Sequence, residues 1–159
     1  MKINENVVPL SVLMVCHGNI CRSPMAEFVF RDLVTKKGMG DRFQILSAAT
    51  STEEIGNPVH RGTREKLRQC GISTEGKYAV QFKVGDYDSY DYLIGMDERN
   101  TINMRRIAGG DPMGKISRLL DFSDRPRDIA DPWYTGDFDK TYEDVVEGCK
   151  ALLNVILGN

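Results

Sequence analysis

The sequence predicts an α/β fold: a three-layer sandwich with a central four-stranded parallel sheet and helices on both faces. Two observations carry this. Four short apolar runs recur along the chain, and segments with helical periodicity separate them. Strands that alternate with helices imply right-handed crossovers and a parallel sheet covered on both sides. At 159 residues the chain suits a single domain, residues 1–159.

Taken in order, Leu10 to Val15 (LSVLMV) is nearly continuous in apolar character and short, as expected of a strand buried on both faces. After a polar turn, Ser23 and Pro24 read as an N-cap followed by proline at the first helical position. Ala26, Val29, Phe30 and Leu33 follow at helical spacing, and Gly38 stops the helix. Phe43 to Ala49 is the second strand. Asn57 and Pro58 open a second helix with Leu67 and Cys70 on its inner face and Gly71 at its end. Tyr92 to Met96 is the third strand, and Asp97 caps the helix after it. Ile116 to Phe122 is the fourth strand. In the last helix Tyr142, Val145, Val146, Cys149, Leu152, Leu153 and Ile156 share one face at steps of three and four. Ser123 to Gly136 is the longest loop, and long loops in compact domains are often functional.

Composition narrows the function classes. Hydrophobic residues make up 41% and charged residues 28%, so the chain can bury a core and wholesale disorder is excluded. A formal net charge of −2 gives no electrostatic case for a general nucleic-acid binder. No apolar run approaches the roughly 20 residues that span a bilayer, so no membrane partner is expected. Asn4, Glu5 and Asn6 interrupt any basic start, so the N-terminus does not read as a secretory signal. A cytoplasmic monomer is the expectation. Cys16, Cys21, Cys70 and Cys149 are then reduced, and their spacing holds no pair of CxxC units for a structural metal site.

The most informative segment joins the first strand to the first helix: Cys16-His17-Gly18-Asn19-Ile20-Cys21-Arg22-Ser23. Open α/β sheets bind ligands at the C-terminal ends of their strands, and Cys16 sits at such an end. Gly18 and Asn19 tolerate left-handed backbone angles, which lets the loop turn N–H groups inward as an anion nest. The helix N-terminus adds further N–H groups and partial positive charge. Arg22 supplies a planar fork matched to two phosphate oxygens. Residues 17–23 are therefore the expected phosphate-binding loop. The same field favours a thiolate at Cys16, with the Ser23 hydroxyl as a further donor, and so holds a nucleophile beneath an oxyanion cradle. A lone Cys and Arg at this spacing also occur by chance, as a buried strand-end cysteine and a helix-start arginine. It is the strand, Gly-Asn, Arg-Ser-Pro and amphipathic helix in one register that raise the specificity.

The run CHGNICRSPMAE resembles the active-site signature of the low-molecular-weight protein tyrosine phosphatases. SAATSTEEIGNP, YDYLIGMDERN and DPWYTGDFDKTYEDV are similar to family segments in the same order, so the resemblance spans nearly the whole chain. It implies a four-stranded parallel sheet flanked by helices, in agreement with the reading above. It also implies hydrolysis of phosphotyrosine proteins and small aryl phosphates through a phosphocysteine, with no metal or other cofactor. The residues alone do not choose a general acid among 23 carboxylates. The resemblance does, because Asp131 opens the Asp-Pro-Trp-Tyr segment that carries the acid in this family.

Other roles follow from the same resemblance. Asn19 and Ser47 tie the phosphate loop together with Ser23. Cys21 matches a cysteine able to form a protective disulfide with the nucleophile, its alternative being a small buried residue. Trp133 and Tyr134 wall a slot for an aryl phosphate, unless they serve ordinary packing. Glu53 departs from the pattern, because many relatives carry an aromatic residue on that rim, and a carboxylate there repels acidic phosphopeptides. Ile20 favours phosphotyrosine, since relatives specialised for phosphoarginine typically have Thr.

Two rival functions remain on the page. Arsenate reductases share the fold and the CxxxxxR loop, but they relay a disulfide through cysteines after the third strand, and none lies between Cys70 and Cys149. A phosphate-binding module without turnover needs neither the thiol nor the acid. His17 is expected on the outer side of the loop, and no partner is evident for His60. Gly109 to Lys115 matches the spacing of a nucleotide P-loop, but Ile116 replaces the required Ser or Thr and the order of helix and strand is reversed, so it reads as a turn.

Overall fold

The computed structural model describes residues 8–158, so Asn4, Glu5 and Asn6 lie outside the described residues. Four parallel strands form the sheet: β1 (Leu10–Cys16), β2 (Phe43–Ala49), β3 (Tyr92–Gly95) and β4 (Ile116–Arg118), in the order β2-β1-β3-β4. The central strand β1 pairs with β2 through Cys16↔Ala49 and with β3 through Val15↔Gly95. Strand order therefore reverses beside β1, and the Cys16 end faces the crevice where this sheet class places its ligands.

The period-2 alternation of β1 divides its side chains between two cores. Val12, Met14 and Cys16 face α1 (Arg22–Lys36) and α6 (Phe138–Leu157), packing with Phe30, Cys149 and Leu152. Leu13 and Val15 face the opposite layer. There they meet Phe82, Tyr87 of α3 (Asp86–Ser89) and Met104 of α4 (Glu98–Ala108). Helices cover both faces, as the sequence implies. No described helix is long and apolar enough to cross a membrane.

Several elements differ in detail from the sequence reading. The helix expected from Asn57-Pro58 starts later: α2 spans Arg61–Gln69 with His60 as its N-cap, and Pro58 instead forms an antiparallel bridge with Tyr78. Leu67 is fully buried on its inner face, whereas Cys70 is only partly covered. The fourth strand stops at Arg118, because Leu119–Phe122 winds into a 3₁₀ turn held by Asp121, whose carboxylate accepts from Arg118 N. Ser23 is not the cap of α1. The helix starts at Arg22, and the Ser23 hydroxyl is engaged elsewhere. The Gly109–Lys115 segment is a turn: Gly109 ends α4 at φ 80, and Asp111 accepts from the N–H groups of Lys115 and Ile116.

In the first core α6 approaches the 3₁₀ turn closely. A Cβ on Gly148 would stand 2.5 Å from Leu119 Cγ, inside van der Waals contact. Gly148→Ala should thus cost about 1–3 kcal/mol through overpacking, against the ordinary helix preference for alanine. Urea unfolding should show a lower midpoint with an unchanged slope.

Candidate active site

The site is built where β1 ends. Cys16 is buried, and three groups converge on its sulfur: the N–H groups of Asn19 (3.3 Å) and Ser23 (3.4 Å) donate to it, and Ser23 Oγ is hydrogen-bonded to it at 3.0 Å. The Asn19 N–H reaches the sulfur because Asn19 holds a left-handed backbone, φ 57, the only non-glycine residue among those described to do so. Its side chain fixes that strained turn. Nδ2 donates to Ser23 Oγ (2.8 Å) and Ser47 Oγ (2.9 Å), and Oδ1 accepts from Val80 N (3.1 Å). Asn19, Ser23 and Ser47 thus meet beneath the loop, as the resemblance implies.

The support continues into groups that the sequence reading missed. Ser47 Oγ donates to Glu27 Oε1 at 2.5 Å, and Glu27 is 1% exposed. Arg31 (2.8 Å) and Lys77 (3.7 Å) balance that buried carboxylate, and Lys77 also donates to Ser47 O. Burial pulls the Lys77 ammonium below its ordinary range, partly offset by Glu27. A signal existed in the sequence: Glu27 lies one turn after Ser23 and one turn before Arg31, on the face that packs inward.

Arg22 is a second buried charge at the site, 2% exposed. Its Nη1 donates to Asp97 Oδ2 (2.6 Å) and to Ile129 O (2.9 Å), and its Nη2 lies 3.4 Å from Asp131 Oδ2. Nε is buried and finds no acceptor among the described residues. Burial works against the guanidinium charge. Cys16, the hydrogen bond to Asp97 and the Asp131 carboxylate outweigh it, so the group stays above its ordinary value. Asp97 does cap α4, in a reciprocal capping box with Asn100, and its second oxygen orients Arg22.

Asp131 lies on the long loop, at the N-cap of the short helix α5 (Pro132–Thr135). Oδ1 accepts from Trp133 N at 3.0 Å, which leaves Oδ2 toward Arg22. Cys16, His17, Gly18, Ile20, Cys21, Arg22, Glu53, Glu54, Asp131, Trp133 and Tyr134 line one cavity of about 100 Å³. Trp133 and Tyr134 are 57% and 84% exposed, too open for core packing, and stand at its mouth. Glu53 lines the same cavity and is hydrogen-bonded to His17 Nε2 at 3.0 Å, a pair that the sequence did not foretell. A wider groove of about 570 Å³ beside α2, lined in part by Arg64, Ile72 and Tyr78, has no cysteine in its walls.

His60 also has partners. Its Nδ1 accepts from Gly62 N, and its ring lies against Phe138 and Trp133. No single-residue pattern announces such contacts.

All four cysteines are free. Burial, the negative charge of Cys16 and that of Asp131 push the Cys21 thiol up to about 12. Iodoacetamide at pH 8 should therefore leave Cys21 unlabelled in the folded protein. Peptide mass mapping after a short exposure checks this, and urea-unfolded protein should label fully.

The chain is similar to known proteins over nearly its whole length. Residues 11–158 match the family model described as low molecular weight phosphotyrosine protein phosphatase. Low molecular weight protein-tyrosine-phosphatase YfkJ of Bacillus subtilis is 46% identical over 146 residues, covering 91% of this chain and 94% of that protein. A low molecular weight phosphotyrosine protein phosphatase from Gallus gallus is 42% identical, with 90% and 93% covered. The crystal structure of YfkJ superposes with a TM-score of 0.93 at 44% identity, covering 96% of this chain and 98% of that one. With the family match spanning nearly the whole chain and the four-stranded parallel sheet in place, the chain belongs to the low molecular weight phosphotyrosine protein phosphatase family.

Proposed function

We infer that the protein hydrolyses phosphotyrosine in proteins, and small aryl phosphates, through a phosphocysteine intermediate and without a metal ion. The observation that carries the reading is Cys16 at the base of the cavity, with three hydrogen-bonding groups on its sulfur and the buried Arg22 beside it. A phosphoryl group above the sulfur would give the unpaired Nε of Arg22 its missing acceptor and share Nη2. The loop N–H groups of residues 17–23 and the start of α1 complete the oxyanion cradle.

The first step is in-line attack of the Cys16 thiolate on phosphorus. An S–P bond forms, the P–O bond to the aryl group breaks, and the Asp131 carboxyl gives its proton to the departing oxygen. In the second step ionised Asp131 takes a proton from water. The resulting hydroxide attacks phosphorus, the S–P bond breaks, and inorganic phosphate leaves with Cys16 again a thiolate. Arg22 keeps its fork on the equatorial oxygens in both transition states, oriented by Asp97 and Ile129 O.

Trp133 and Tyr134 form the aryl wall, and Ile20 lines the same cavity. Ile20 offers no hydroxyl to a guanidino phosphate, which favours phosphotyrosine over phosphoarginine. Glu53 sets a negative charge on the rim, against acidic flanking sequence. Cys21, adjoining this cavity, is the partner for a protective disulfide after oxidation of Cys16. A reducing, cytoplasmic setting fits the four free cysteines.

Hydrolysis of p-nitrophenyl phosphate with a chelator present tests the chemistry. The unsubstituted protein should turn over, and Cys16→Ser should be inactive yet still bind phosphate analogues; surviving turnover removes Cys16 as nucleophile. Asp131→Ala should lower kcat/KM about 10²-fold for phenyl phosphate and clearly less for the better leaving group, p-nitrophenolate. Equal loss on both substrates removes Asp131 as general acid.

A further inference from the structure

Two loops have to meet for the reaction just described: the phosphate loop, which carries Cys16 and Arg22, and the acid loop, which carries Asp131. They are far apart in sequence, and the direct contact between them is the long pair Arg22 Nη2 to Asp131 Oδ2 at 3.4 Å, backed by Arg22 Nη1 on Ile129 O. His60 makes a second connection that no step of the chemistry uses.

Three observations define it. The backbone N–H of His60 donates to Ile20 O at 2.8 Å, and one turn on Thr63 Oγ1 donates to Cys21 O at 3.0 Å, so the start of α2 is bonded to the phosphate loop. The His60 ring is oriented from its other side: Nδ1 accepts from Gly62 N at 3.0 Å, and the imidazole stacks on Phe138 at 5.3 Å with 13° between planes. Gly62 has no Cβ, and the Phe138 ring occupies the place a Cβ would take, so the stack is seated tightly. Held in this way, the imidazole meets Trp133 edge to face at 5.6 Å and 75°. Such a pairing is directional for aromatic rings. Trp133 is otherwise exposed, and its backbone N–H holds Asp131 Oδ1.

We propose that His60 is a positioning residue that joins the two loops: it seats Trp133, and through the Trp133 backbone N–H it aims the Asp131 carboxyl at the leaving oxygen above Cys16. The proposal rests on the phosphatase reading. His60 touches neither the sulfur nor the phosphoryl group, so its removal leaves the nucleophile and the phosphate cradle intact. What it changes is protonation of the leaving group. The effect must therefore grow as the leaving group becomes poorer.

Two substitutions separate orientation from folding. His60→Asn keeps an N-cap acceptor for Gly62 N and removes the ring. His60→Phe keeps a ring and removes the acceptor. Trp133 is the single tryptophan of the chain, so intrinsic fluorescence reports on this contact directly.

In His60→Asn, tryptophan emission should shift and its anisotropy fall. Its kcat/KM for phenyl phosphate should drop about tenfold, with a smaller loss for p-nitrophenyl phosphate. His60→Phe should restore the ratio between the two substrates. Unchanged fluorescence in His60→Asn, or equal loss on both substrates, overturns the proposal and leaves the phosphatase reading standing. Absence of Cys16-dependent turnover in the unsubstituted protein overturns both.

Discussion

A positive charge buried among negative ones is the constraint on which the site depends. Arg22 cannot shed its proton in a protein and is almost wholly withdrawn from water. Burial of a charge is tolerated only with partners of good geometry, and loss of one partner of such a pair costs on the order of 3–5 kcal/mol. Asp97, from the loop after β3, and Ile129 O and Asp131, both from the long loop before α5, supply the partners. Packing alone would not bring those two loops to one point beside the phosphate loop. The charge on Arg22 gives each of them a reason to be there, and it leaves Nε without an acceptor among the described residues.

Beneath the sulfur a second polar assembly repeats the principle on a smaller scale. Asn19 adopts a backbone angle that side chains disfavour. It keeps that angle because all its side-chain hydrogen bonds are met by Ser23, Ser47 and Val80 N. Ser47 passes the load to Glu27, and Glu27 to Arg31 and Lys77. Fully connected buried networks of this kind specify one arrangement, whereas partly connected ones weaken a core. Rigidity under Cys16 is the physical form that preorganisation takes in this molecule.

The fold was legible because apolar runs and helical periodicity are local signals. All four strands and the long helices appear where those signals lie. The errors sit where a residue has two possible employers. Ser23 resembles a helix cap but serves the sulfur, Pro58 resembles a helix start but pairs in a bridge, and the apolar run after Arg118 winds into a 3₁₀ turn because Asp121 reaches back to it. In the site, Cys16 and Arg22 share one loop and could be read from spacing. Asp131, Glu27, Lys77 and the second duty of Asp97 could not, since no spacing rule links residues that meet only through tertiary structure. His60 is the sharpest case, because its ring contacts come from three separate segments.

The distance in sequence between Arg22 and Asp131, 109 residues, bears on how the protein comes into being. Loop closure over such a span is entropically unfavourable and waits for the sheet and α4 to be in place. A chain emerging from the ribosome presents Cys16 early and Asp131 late. Until β4 and the Asp131 loop have docked, the cysteine loop lacks both the carboxylate and the carbonyl that steer its arginine. The pocket around Cys16 is therefore whole only when the fold is.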